Sequence, residues 1–194
     1  MNVLILKGDE TGMVNIRELR HKPVSEIVKV LNVDNLISID LVAVAYMLNI
    51  SILSYSFNQY VHNGEKIICA FVTNNKGKSC IFYDVELADN KDDGLRIEIA
   101  KTFARYILTG EKTFYITKST EFSAREDLLV NEMLMPEAKV KDTIKELILP
   151  TTFSLAKIFS VSPEFVNQRL DKMDISLSLT LARKIRMMRM MSEL

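Results

Sequence analysis

A chain of 194 residues that is 48% hydrophobic and 26% charged has enough apolar surface for a packed core, which excludes an intrinsically disordered chain. Its 25 basic and 25 acidic side chains cancel, so no global field selects nucleic acid or anionic lipid. No apolar run reaches the ~18 residues of a membrane span, and MNVLILKGDE has no basic leader or cleavage-like site, so a cytoplasmic protein without a membrane partner is expected.

Residues 1–22 form an N-terminal extension that stays unassigned: VLIL is strand-prone, GDETG turn-like, and VNIRELRH suits a strand end or a short helix. Residues 23–150 carry the main domain. Ser25 can cap a helix through Leu31, in which Ile27, Val28 and Leu31 share a face. Ser38 or Asp40 opens a second helix, IDLVAVAYMLN, closed by Asn49, which tolerates a left-handed cap. The period then changes. ISILSYSF, KIICAFVT and SCIFYDV are strand-like runs separated by HNGE and NNKGK, whose glycines suit tight reversals. Cys69 and Cys80 lie inside two of these runs without zinc-site spacing, so both read as buried free thiols.

The polar loop ADNKDDG feeds a helix over Gly94–Gly110, GLRIEIAKTFARYILTG, with Asp92 and Asp93 at its positive end and Gly110 as its stop. At about 100° per residue Glu98, Lys101, Thr102 and Arg105 form one polar stripe opposite Ile99, Phe103, Tyr106 and Ile107. A polar segment, EKTFYITKSTEF, leads to SAREDLLVNEMLMP, where Ser123 and Glu126 form a capping box and Pro136 ends the element. A further helix spans roughly Glu137–Leu147. Residues 151–194 make a C-terminal helical segment: TTFSLAKIFS and SPEFVNQRLDKM, joined at VS with helix-turn-helix-like spacing, then LSLTLARKIRMMRMMSEL. The expected fold is α+β, with a small three-stranded, mainly antiparallel sheet packed on a helical core and followed by C-terminal helices.

In that order the chain resembles the ImmA/IrrE family of metallopeptidases over roughly Val24 to Met173. RIEIAKTFARYIL stands where family members carry a helix like RFTLAHELGHYLL. SAREDLLVNEMLMP is similar to a second family signature, and LAKIFSVSPEFVNQRL to a third. The resemblance implies a zincin-like core. In an H-E-x-x-H helix, residues four apart aim two imidazoles at one zinc while the glutamate serves as general base. Here Lys101 and Arg105 occupy the histidine positions and Thr102 the glutamate position. Cations repel zinc and threonine is no base at neutral pH, so no catalytic residue, metal ligand or cofactor is expected. The third family ligand aligns with Ser123 and Arg125, and His21 and His62, the only two histidines, read as solvated loop residues.

Glu98, Lys101, Thr102, Arg105 and Glu126 therefore mark a vestigial cleft. Two readings of it stay open: cations closed onto Glu126, Glu121 or Glu98, or a plain solvated face. The resemblance implies a catalytically inactive pseudo-peptidase that binds a protein partner, a helix-turn-helix repressor of a phage or mobile element being the class its active relatives act on. The alternative is a DNA-binding regulator in which Gln168 and Arg169 reach a groove or phosphates and Arg183, Lys184, Arg186 and Arg189 add backbone contacts. Met187, Met188, Met190 and Met191 make the last helix a candidate homodimer surface. Other enzymes lack support, since there is no P-loop, G-x-G-x-x-G or G-x-S-x-G.

Overall fold

The computed structural model describes residues 14–32, 35–57, 61–62, 65–66, 68–75, 78–84, 94–117, 119–180, 182 and 186. Three helices come first: α1 (Ile16–Arg20), α2 (Val24–Leu31) and α3 (Leu41–Met47). The strands β1 (Ile50–Tyr55), β2 (Val61–His62), β3 (Glu65–Lys66), β4 (Ile68–Asn75) and β5 (Lys78–Asp84) follow, then helix α4 (Gly94–Thr109) and strand β6 (Phe114–Thr117). The chain continues through α5 (Ala124–Leu134), α6 (Glu137–Glu146), α7 (Thr152–Phe159) and α8 (Pro163–Lys172), with further helix over 177–180.

Local chemistry accounts for many of the boundaries. Asn15 caps α1 by accepting from the Arg17 N–H, which resolves VNIRELRH as a short helix. Asp40, of the two residues considered, caps α3 by accepting from the Val42 and Ala43 N–H groups. Asn49 ends that element with φ +53°. Pro23 rather than Ser25 is the residue before α2, and Ser25 lies inside its first turn. Ser162 caps α8 with Pro163 in the first turn, and Ser160, with φ +52°, turns the chain between α7 and α8.

The α+β class holds, but the sheet differs from the expected one. It has four strands in the order β1-β5-β4-β6 and is mixed. β4 and β5 pair antiparallel, with Val72 opposite Ile81. β1 does not extend that meander: it lies parallel to β5, with Ile50 opposite Ser79. The edge of β4 is taken by β6, with Phe114 opposite Val72. Only four residues of EKTFYITKSTEF pair, so their alternation, with Phe114 and Ile116 inward and Tyr115 outward, is short and flanked by polar residues. Composition alone therefore marks the segment as polar and does not reveal the strand. β2 and β3 pair separately.

One face of the sheet meets the helices. Ala70, Val72, Ile81, Phe114 and Ile116 join α4 residues Phe103, Ala104 and Ile107 in one buried cluster. Leu19 of α1, Ile27 of α2, Met133 of α5 and Leu155, Phe159 and Val166 of the C-terminal helix pair belong to the same cluster. The Tyr106 and Ser79 hydroxyls, 2.5 Å apart, tie α4 to β5. No helix among the described residues is long and apolar enough to cross a membrane.

Candidate functional site

The polar stripe of α4 lies against α5 and the segment that precedes it. Glu126 occupies the third position of α5, where its carboxylate reaches back over the helix N-terminus: Oε2 accepts from the Ser123 N–H at 2.7 Å and from the Ser123 hydroxyl at 2.8 Å. The other oxygen is left to face α4. Arg105 Nε donates to Glu126 Oε1 at 2.8 Å, and Arg105 Nη2 donates to the Glu121 carbonyl at 2.5 Å. The pair is enclosed, with 18% of the Arg105 and 6% of the Glu126 side chain exposed. One carboxylate thus completes the cap of α5 and anchors that helix to α4.

One turn earlier, Lys101 Nζ donates to Glu98 Oε1 at 2.7 Å. Between the two cations lies Phe122, whose ring centroid is 5.9 Å from Lys101 Nζ and 4.8 Å from Arg105 Cζ. Glu98 Oε2 is buried without a hydrogen-bond partner among the described residues. Thr102 stands apart from the others: it is fully buried, and its hydroxyl donates to the Glu98 carbonyl at 2.7 Å. Four of the five cleft residues, Glu98, Lys101, Arg105 and Glu126, therefore meet in one cluster, while Thr102 turns toward the core.

Burial pushes the Glu126 carboxyl up, but the Arg105 hydrogen bond, the two Ser123 hydrogen bonds and the Arg105 charge outweigh it and hold it below the usual carboxylate range. Two cations and two carboxylates cancel within the cluster. Such a group can lock α4 to α5. Among the described residues no three His, Cys, Asp or Glu side chains converge as a metal-ligating group. His21 is exposed, and the His62 side chain lies outside the described residues.

Nothing in the residues around it singles out Phe122 beforehand. It precedes the capping residue, where an apolar side chain usually staples to the fourth position of the helix, but that position is Asp127. With no apolar partner on its own helix, the ring turns to α4. A surface groove of about 670 Å³ lies elsewhere, between α2, α5 and the start of α6, lined by Pro23, Val24, Leu128, Glu132 and Lys141 among others.

The C-terminal contacts expected for nucleic acid separate. Gln168 is exposed on α8, and Arg186, beyond that helix, is exposed as well. Arg169 is 4% exposed: its Nε donates to the Met135 carbonyl at 3.0 Å and its Nη2 to Glu132 Oε1. The guanidinium seals the junction of α5 and α6 and does not reach outward, because Val166 and Leu170 on either side of it face the core. Arg183, Lys184, Arg189 and the four methionines lie outside the described residues, as do Asp92 and Asp93. Cys80 is a half-buried free thiol, and the Cys69 side chain is outside the described set.

The chain matches no protein-family model, no curated protein and no solved structure.

Proposed function

We propose that this chain is a non-catalytic, ImmA/IrrE-like pseudo-peptidase that binds a protein partner in the cytoplasm, a helix-turn-helix repressor being the partner class the resemblance implies. The observation that carries the reading is the Arg105–Glu126 pair. Under the alignment, Arg105 takes the place of the second zinc-binding histidine, and its guanidinium is joined to the helix whose start would supply the third ligand. An ion pair then does the mechanical work of a metal, holding two helices together, without its Lewis acidity. Lys101, in the first histidine position, is neutralised by Glu98 in the same way. A zincin-like relation of α4 to α5 belongs to this proposal.

With Lys101 and Arg105 each paired to a carboxylate, the stripe has little positive charge left to offer a peptide, so partner contact falls on surfaces outside it. The DNA-binding alternative loses its central contact because Arg169 is committed to Met135 and Glu132. The test is titration calorimetry of the purified protein against a helix-turn-helix repressor from the same genome, followed by gel analysis with and without chelator. Saturable binding with the repressor left intact is expected. Fragments that disappear with chelator would overturn the non-catalytic assignment, and absence of heat would overturn the partner.

A further inference from the structure

The sheet face turned away from the helices carries an apolar row with one residue from every strand. Leu53 of β1 stands opposite Phe82 of β5, Phe82 opposite Phe71 of β4, and Phe71 opposite Tyr115 of β6. Phe71 is stacked with both neighbours, at 4.9 Å from Tyr115 and 6.2 Å from Phe82, and Tyr55 meets Phe82 edge-on at 6.2 Å. None of these side chains belongs to the core cluster, and Leu53, Tyr55 and Tyr115 are 46%, 44% and 55% exposed. A sheet face left to water normally carries polar residues. Here they are confined to positions beside the row, such as Ser51, Thr73 and Lys78, and the row across the middle is apolar.

We propose that this face packs against the same face of a second copy of the chain, sheet on sheet about a two-fold axis. Three features select that occupant. First, Ser51, Thr73 and Cys80 beside the row are uncharged, Asp84 is 4% exposed, and Lys78 at the start of β5 is the one exposed charge in phase with the row among the described strand side chains. Two copies therefore meet without like charges stacked at the centre, whereas a base-stacking platform for single-stranded nucleic acid needs a cationic surround. Second, the row is self-complementary. A two-fold axis along the strands reverses its order, setting Phe82 against Phe71 in the middle and the prominent Tyr115 against the smaller Leu53 at each end. Third, four strands about 4.8 Å apart and roughly 20 Å long give a footprint of roughly 400 Å² per copy, or about 800 Å² in total, the scale of a weak, reversible association. The inference is independent of the pseudo-peptidase reading.

Sedimentation velocity on the full chain from about 10 μM to about 1 mM tests it. The weight-average mass should climb toward twice that of the monomer. Tyr115→Glu and Leu53→Glu, at exposed positions on opposite edge strands, should each raise the midpoint at least ~10-fold with the far-ultraviolet circular dichroism unchanged. If one of the two fails to fold, the other decides. Phe153→Glu, at a position 76% exposed on α7, should leave the curve in place. A monomer at every concentration, an association that survives both sheet variants or disappears with Phe153→Glu, or a monomer that binds labelled oligothymidylate through Tyr115 would each overturn the proposal.

Discussion

Gly110 ends α4 with φ +72°, and a Cβ built there would lie 1.5 Å from Arg20 Nη2. The guanidinium of Arg20 lies across the end of the helix and donates from Nε to the Ile107 carbonyl at 3.4 Å. Gly110→Ala must therefore displace Arg20 as well as hold an L-residue in the left-handed region, and a loss of about 1 to 3 kcal/mol in urea unfolding is expected. The stop was legible in the sequence; the arginine packed against it comes from 90 residues earlier and was not. At Glu126 the sign of the pH dependence follows from the lowered pKa. The unfolded chain binds a proton near the ordinary glutamate value of about 4.5 that the folded chain takes up only at lower pH. The stabilisation is fully present above that value and is lost as pH falls through the folded pKa, so denaturation midpoints should drop below pH 4.5, with a shallower drop in Glu126→Gln. Arg105→Met leaves a carboxylate 6% exposed without its cation, and should lower stability at pH 7 by about 2 to 4 kcal/mol. A variant as stable as the parent would mean that the pair is only a surface contact.

Between elements, Arg169 makes the sharpest contrast between sequence and structure. As a DNA contact it should be replaceable without harm to the fold. As the residue that joins α8 to Glu132 and the Met135 carbonyl, Arg169→Ala should cost about 3 to 5 kcal/mol in thermal or chemical unfolding, since it strands a buried carbonyl and a mostly buried carboxylate. The reason for the misreading is general: a helix position between two core residues can bury a long cation if partners wait at its tip, and those partners lie more than thirty residues away. What was legible was local. The capping box at Ser123, the Ser162–Pro163 start, the Asn49 cap and the β4–β5 pairing each follow from residues within one turn or hairpin. What was not legible was non-local pairing. Nothing in ISILSYSF distinguishes a strand that adds parallel to β5 from one that adds antiparallel, and the four residues of β6 are too few for their alternation to stand out. The same limit applied at the site. The charge stripe on α4 could be drawn from spacing, but its closure by Glu126 and Phe122 depends on how α5 is laid against it.

For the molecule as a whole, the consequence lies in how the buried cluster is shared. Leu155, Phe159, Val161, Val166 and Leu170, from the C-terminal helix pair and the turn between its helices, are at most 4% exposed and belong to the cluster that also holds Phe103, Ile107 and Met133. Removing residues 151–194 would return that contact surface to water. At roughly 1.5 to 3 kcal/mol per buried side chain, these five contribute on the order of 10 kcal/mol, comparable with the whole stability of a typical domain. The helix-turn-helix-like spacing is therefore used internally: one side of each helix completes the core, and Lys172 reaches Asp127 on α5 as a further tie. A protein truncated after Pro150 should lack a cooperative thermal transition and bind an apolar dye, while the full chain should unfold in one transition with coincident midpoints by far-ultraviolet circular dichroism and tyrosine fluorescence. A well-folded truncated form with its own sharp transition would mean instead that the C-terminal segment is an independent module docked on a finished core, free to engage a partner without disturbing the helix that carries Lys101 and Arg105.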